Sequence, residues 1–184
     1  MIEATYIDHM GSDLSVVNAA RVSFGKNSNA IGYVALGDQP MIALVSDRDK
    51  NLIKYLAEHK HMSPFGHAFA SFHIKAPIFV ARQLVKHKFL RWNEISRRYV
   101  DDEPEFYTPD VWRKASADKK MGLWDQITTS CVLDYAGEHT HPRFAADDVH
   151  EYTFGIYRNM IAAGVAPEQA RMVLPQSTMT EWYW

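Results

Sequence analysis

The stretch Ala70-Ser71-Phe72-His73-Ile74-Lys75-Ala76-Pro77-Ile78-Phe79-Val80-Ala81-Arg82-Gln83-Leu84-Val85-Lys86-His87-Lys88 changes its period once along its length. Ala70, Phe72 and Ile74 alternate with Ser71, His73 and Lys75, the two-residue repeat of a strand with one covered face. Beyond Pro77 the apolar residues Phe79, Val80, Leu84 and Val85 recur at helical spacing. Proline is tolerated in a first helical turn, so Pro77 can open that helix. A strand running straight into a helix points to a mixed fold, and this helix delivers Arg82, Gln83, Lys86 and His87.

Upstream, Ala4 to Ile7 reads as a short strand. Asp13 is placed to cap a helix over Leu14 to Val22, with Val16, Val17 and Ala20 on one face. Asn27 to Gly32 reads as a loop. Ser46 or Asp47 caps a second helix running to about His59, with Leu52, Ile53, Tyr55 and Leu56 as its apolar face. Ser63-Pro64-Phe65-Gly66 breaks it. Downstream, Phe89 to Tyr107 is polar and aromatic with little periodicity. A long loop in a compact domain is functional or disordered, and this one is too aromatic for disorder. Lys119 to about Ala136 and Ala145 to about Ala163 read as helices, the second with Val149, Tyr152, Ile156, Tyr157 and Ile161 on a common face. Gly164 fits a C-terminal cap. Pro167 opens a short helix through Met172, Pro175 ends it, and Met179 to Trp184 is extended or irregular. With neither repeat nor linker, residues 1–184 read as one mixed α+β domain.

Composition bounds the function. The 184 residues are 47% hydrophobic and 23% charged, ordinary globular usage. A chain this long buries roughly 70% of its unfolded surface and needs neither disulfide nor metal to fold. Twenty basic against 22 acidic residues argue against a general nucleic-acid binder. Cys131 is the single cysteine, so there is no internal disulfide and no cysteine cluster for zinc, and a reducing compartment is expected. The start, MIEATYIDHM, lacks the basic and apolar regions of a signal peptide, and no apolar run is long enough to span a bilayer. A cytoplasmic protein without membrane partners is expected. Nine histidines and five tryptophans suit either a pocket for planar ligands or a rich core.

Lys86, Lys88, Arg91, Arg97 and Arg98 gather five cations in a short span, offset only by Glu94, Asp101 and Asp102. Such a cluster fits a bound phosphate, and it also fits a solvated basic face. Gln83 and Asn93 carry both donors and acceptors, as reading a base edge requires. His59, His61, Ser63, His67 and His73 form a second cluster. Its spacing is not that of a metalloprotease helix and no carboxylate lies between His59 and His67, so no metal site is expected. Stacking or hydrogen bonding in a pocket and plain surface positions both remain open for these rings. Arg171 stands at the end of a mostly apolar helix. No Gly-rich dinucleotide fingerprint, P-loop or nucleophile elbow occurs.

Taken in order, these stretches resemble the flavin-dependent thymidylate synthase family. That family's signature is Arg-His-Arg, seven residues, then Ser; here Lys86-His87-Lys88 is followed by Phe89 to Ile95 and Ser96. Arg82-Gln83, Asn93-Glu94-Ile95-Ser96 and Arg98-Tyr99 match around it. Ala20-Arg21-Val22-Ser23, His61-x-Ser63-Pro64-Phe65-x-His67 and Ala170-Arg171-x-Val173-Leu174-Pro175 match collinearly across nearly the whole chain.

The resemblance implies an antiparallel sheet with helices, and a homotetramer holding FAD at subunit interfaces without a Rossmann fold. It implies methylation of dUMP to dTMP, with methylenetetrahydrofolate as carbon donor, NADPH as reductant of the flavin, and no cysteine nucleophile. It places Ser63, Lys86, His87, Lys88, Glu94 and His61 at FAD. It places Gln83, Lys86, Glu94, Ser96, Arg97, Arg98 and Arg171 around dUMP, with Arg171, Ser96 and Arg98 as catalytic residues. Ser96 then positions dUMP and is not a covalent nucleophile. Donors such as Arg98 and Gln83 aimed at a uracil carbonyl stabilise negative charge as carbon five becomes nucleophilic.

Three departures from the family pattern stand out. Lys86 and Lys88 replace arginines, which keeps charge but loses the planar fork. Gly66 stands where the family has a glutamate. The family also continues past the equivalent of Trp184, with an asparagine-containing FAD segment and an arginine that activates dUMP. The alternative expectation is therefore a catalytically impaired nucleotide- or flavin-binding homologue, or one part of a split enzyme whose C-terminal segment comes from a second polypeptide.

Overall fold

The computed structural model describes residues 1–35, 41–87, 91–99, 102–115, 122–127, 132–134 and 136–184. Lys88, Asp101 and Cys131 lie outside the described residues. The chain packs as two compact units, Ala4–His73 and Ile74–Trp184, the latter joined by Met1–Glu3.

The unit Ala4–His73 holds most of strand β1 (Glu3–Met10), helix α1 (Asp13–Arg21), strands β2 (Gly32–Val34) and β3 (Ile42–Leu44), helix α2 (Asp47–Glu58) and the first half of β4 (Phe69–Pro77). β2 and β3 pair antiparallel, with Gly32 opposite Leu44 and Val34 opposite Ile42. In α1 the cap is Ser12, one residue before the expected Asp13. The Ser12 amide donates to Ser15 Oγ at 3.1 Å, and Asp13 becomes the first helical residue, where its charge meets the positive end of the helix. Val16 and Val17 are buried as the spacing predicts. Ser46 caps α2, its hydroxyl accepting from the Asp49 amide at 3.3 Å. Leu56 is buried from the expected apolar face, whereas Tyr55 turns outward and stacks on His59 with ring centroids 4.0 Å apart. Gly11 takes φ +76°, and a Cβ there would overlap the His67 carbonyl oxygen, so only glycine fills the position without strain.

A buried charged cluster ties α1 to α2. Asp49 is buried, and its Oδ1 accepts from Arg21 Nη2 at 2.6 Å, Arg21 Nε at 3.2 Å and Ser28 Oγ at 2.9 Å. Its Oδ2 accepts from Ser46 Oγ at 2.7 Å. All the hydrogen bonds a carboxylate needs once removed from water are present.

The unit Ile74–Trp184 begins with the second half of β4 and helix α3 (Ile78–Leu84). Pro77 is the N-cap of α3, one residue before its first turn. Strand β5 (Asn93–Glu94) emerges from the stretch that reads as a loop. Next come β6 (Arg113–Ala115), β7 (Gly122–Ile127), β8 (Val132–Leu133) and β9 (His139–Thr140), with β6 paired to β7 and β8 to β9. The helix expected from Lys119 to Ala136 is therefore corrected: its described residues include two strands. Ile127 in β7 and Val132 in β8 are β-branched, which favours extended backbone over the helical period.

Helix α4 (Pro142–Ala162) starts earlier than Ala145, opened by Pro142 at its first position and capped by His141, whose Nδ1 accepts from the Arg143 amide at 3.2 Å. Tyr157 is buried, but Val149 and Tyr152 of the expected apolar face are exposed. Gly164 follows the helix at φ +82°, as its place after the last apolar turn predicts. Helix α5 (Pro167–Ala170) continues into a tight turn at Arg171–Val173. Strand β10 (Met179–Tyr183) then runs between β4 and β5. β10 and β5 are antiparallel, Trp182 opposite Glu94 and Tyr183 opposite Asn93. Met179, Thr180 and Trp182 are buried, so β10 is covered on both faces and shows no alternation. Trp182 stacks on Trp92 at 4.5 Å with the rings 19° apart. Among the described residues no helix is long and apolar enough to cross a membrane.

Candidate functional site

In the unit Ile74–Trp184 a cavity of about 520 Å³ opens beside the β5–β10 pair. α3 contributes Ile78 and Arg82; β5 and the turn after it contribute Glu94, Ile95, Ser96 and Arg97. The segment from α5 to β10 contributes Glu168, Arg171, Met172, Leu174, Gln176, Met179 and Thr180. Glu94 is held from two sides: Oε1 accepts from Thr180 Oγ1 at 2.7 Å and Oε2 from Trp92 Nε1 at 3.1 Å. The Trp92–Trp182 stack fixes that indole, so the carboxylate has one orientation.

The cavity's guanidiniums are bound differently. Arg97 donates from Nη1 to the Asp102 carbonyl at 2.9 Å, and Arg171 from Nε to the Glu168 carbonyl at 3.3 Å. A carbonyl orients a guanidinium without neutralising it. Ser96 starts a turn in which its carbonyl accepts from the Tyr99 amide at 3.0 Å and its hydroxyl from the Arg98 amide at 3.3 Å. The volume suits a small ligand, and three guanidiniums with a serine and a glutamine suit an anionic one with carbonyl edges.

The family model described as thymidylate synthase complementing protein matches residues 5–184. The chain belongs to the flavin-dependent thymidylate synthase family. It is 38% identical over 181 residues to a flavin-dependent thymidylate synthase of Thermosipho africanus, covering 97% of this chain and 68% of that protein. It is 38% identical over 178 residues to one from Thermus thermophilus, covering 97% of this chain and 57% of that one. Two solved structures of the UMP/dUMP methylase PolB from Streptomyces cacaoi are similar over this whole chain. The form bound with 5-Br dUMP has a TM-score of 0.70 at 32% identity, with 72% of that chain covered. The form bound with 5-Br UMP has a TM-score of 0.69 at 29% identity, with 70% covered.

Within this thymidylate synthase fold the cavity brings together Glu94, Ser96, Arg97 and Arg171 of the residues expected from the motifs. It adds Arg82, Gln176 and Thr180, which the motif reading does not single out as site residues. Gln83, Lys86, His87 and Arg98 are exposed and do not line it. Lys86 Nζ donates to Gln83 Oε1 at 3.2 Å, and the Arg98 guanidinium lies over the Tyr99 ring at 5.3 Å. The His87 ring is 5.9 Å from that of Trp184, whose buried Nε1 has no hydrogen-bond partner. An exposed ammonium, a planar imidazole and an unpaired indole donor fit a planar, anionic cofactor rich in acceptors. His61 and Ser63 belong to the unit Ala4–His73, where both are exposed. Ser63 opens the short turn Ser63–His67, and the His61 ring stands edge-on to Tyr55 at 6.3 Å. Among the described residues no group of three or more histidines, cysteines or carboxylates could hold a metal ion.

Proposed function

We propose that this chain acts as one domain over residues 1–184 in the reductive methylation of dUMP to dTMP. The observation that carries the reading is the cavity with Arg82, Arg97 and Arg171 around it and Glu94 held in one orientation. Arg82 and Arg97 bind the phosphate, and the backbone carbonyls that orient Arg97 and Arg171 leave both charges available to the nucleotide. Ser96 and Gln176 offer hydrogen bonds to the sugar and the pyrimidine. Arg171 and Ser96, with Arg98 on the same turn as Ser96, are the catalytic residues. Their donors stabilise the charge that develops on the uracil ring. Gln83 and Lys86 complete the dUMP contacts at the end of α3.

His61, Ser63, Lys86, His87, Lys88 and Glu94 hold FAD, and the unpaired Trp184 indole beside His87 supports that side of the assignment. Bound FAD, reduced by NADPH, supplies the hydride that completes the methyl group from methylenetetrahydrofolate. In this reading the protein is a homotetramer with the flavin at subunit interfaces. The test is release of tritium from dUMP labelled at carbon five, with methylenetetrahydrofolate, FAD and NADPH present. Tritium release matched by dTMP is the expected result. Neither tritium release nor dTMP, from folded protein that retains FAD, overturns the reading.

A further inference from the structure

The segment Pro175–Met179 carries Gln176 and Met179 to the cavity and leads directly to Thr180, the donor to Glu94. Backbone hydrogen bonds fix it on two sides. The Phe79 amide donates to the Gln176 carbonyl at 3.1 Å, the Tyr107 amide to the Ser177 carbonyl at 2.9 Å, and the Met179 amide to the Glu105 carbonyl at 2.8 Å. One distant side chain also reaches it. His150, on α4, makes a 2.7 Å hydrogen bond from Nε2 to Ser177 Oγ. Its ring lies flat on Phe106, centroids 4.8 Å apart and planes 9° apart, and Phe106 bridges to Thr178.

We propose that His150 is a positioning residue for the nucleotide cavity, acting through Ser177 to set Gln176 and the start of β10. The proposal rests on the reading of the cavity as the dUMP site. Ser177 is next to Gln176, so a bond at Ser177 fixes the direction in which the Gln176 side chain leaves the backbone. The ring stack removes the remaining freedom of the imidazole, and a preorganised wall binds its ligand without first ordering itself. Burial, opposed more weakly by Asp147, holds the imidazole pKa below its ordinary value. The ring is therefore neutral at pH 7 and serves as a hydrogen-bonding strut.

The test measures dUMP and FAD affinities and melting temperature for His150→Phe, His150→Gln, Ser177→Ala and the double variant His150→Phe/Ser177→Ala. Phenylalanine keeps the stack and loses the bond; glutamine places a polar group near the Nε2 position. One net hydrogen bond predicts that His150→Phe and Ser177→Ala each weaken dUMP about two- to tenfold, with FAD unchanged. The double variant is expected to be no weaker than the weaker single, and His150→Gln to recover most of the loss. If His150→Phe fails to fold, Ser177→Ala removes the same bond by losing one atom. A lower melting temperature with unchanged dUMP affinity overturns the proposal, as do additive losses in the double variant. A wild-type protein that binds no dUMP overturns the underlying reading and the proposal with it, whereas failure of the proposal alone leaves wild-type binding intact.

Discussion

Arg21 and Arg171 each end a short helical segment or begin the turn after one, yet their charges are handled in opposite ways. Arg21 meets the buried Asp49 carboxylate at 2.6 Å, and two serines complete that carboxylate's hydrogen bonds. Arg171 is exposed at the cavity and gives its Nε hydrogen to a backbone carbonyl at 3.3 Å. Arg97, on the same cavity, likewise donates to a carbonyl. A closed ion pair commits a guanidinium to the fold; a carbonyl partner leaves its charge for a ligand. The unit Ala4–His73 thus uses an arginine as internal structure, and the unit Ile74–Trp184 holds arginines in reserve around a hollow.

The largest effect expected from breaking this contrast is on the structural side. Asp49→Asn leaves Arg21 uncompensated, and losing one partner of a buried pair costs about 3–5 kcal/mol, measurable by urea unfolding. Burial pushes the Asp49 carboxyl up, but hydrogen bonds from Ser46, Arg21 and Ser28 and the Arg21 charge outweigh it and hold the group below its ordinary value. A depressed carboxyl stabilises the fold above its unfolded pKa, about 3.9, and that contribution fades as pH falls through the lower folded value. Stability lost below about pH 4 in the wild type is correspondingly smaller in Asp49→Asn.

On the cavity side, Arg171→Ala is expected to weaken dUMP by about 1.5–3 kcal/mol, roughly ten- to more than a hundredfold, by calorimetry. Its unfolding free energy should stay within about 0.5 kcal/mol of wild type, because the side chain is exposed. Arg171→Lys should recover only part of the loss, since a point charge replaces a fork. Arg98→Ala sharpens the comparison. Its guanidinium lies on Tyr99 outside the cavity, so it should weaken dUMP less than Arg171→Ala does.

Local signals were legible in the sequence where one short stretch decides the structure. Ser46 and Gly164 mark helix ends because caps and left-handed turns depend on a few neighbouring residues, whereas the start of α4 at Pro142 lies three residues before the expected Ala145. β10 reads only as extended or irregular over Met179 to Trp184, because a strand buried on both faces shows no alternation to mark it as paired. Gly122 to Ile127 falls in a stretch that reads as a helix yet pairs with β6 as a strand, because a segment this short fits both periods. At the site, the motifs supplied Glu94, Ser96, Arg97 and Arg171, but not their partner Thr180, 86 residues from Glu94 and joined to it only by strand pairing. Arg82 adjoins the expected Gln83, and only the 100° step of a helix separates the residue that lines the cavity from the one that does not.

The smallest effect expected is at Lys75, which donates to Glu105 at 2.9 Å and is only partly exposed, while Glu105 is open to solvent. The hydrogen bond that Lys75 donates to Glu105 raises the Lys75 pKa against the opposing effect of burial. An ion pair this exposed is worth about 0–1 kcal/mol, so Lys75→Met should shift stability by no more than that and less still at high salt.

The most direct test of the reserved-charge account is a calorimetric titration with dUMP and with deoxyuridine, which lacks the phosphate, at two salt concentrations. The account predicts that dUMP binds, that raising salt weakens it, and that deoxyuridine binds at least about tenfold more weakly, as expected for the loss of charge-assisted hydrogen bonds. Equal affinity for dUMP and deoxyuridine, unchanged by salt, would contradict it.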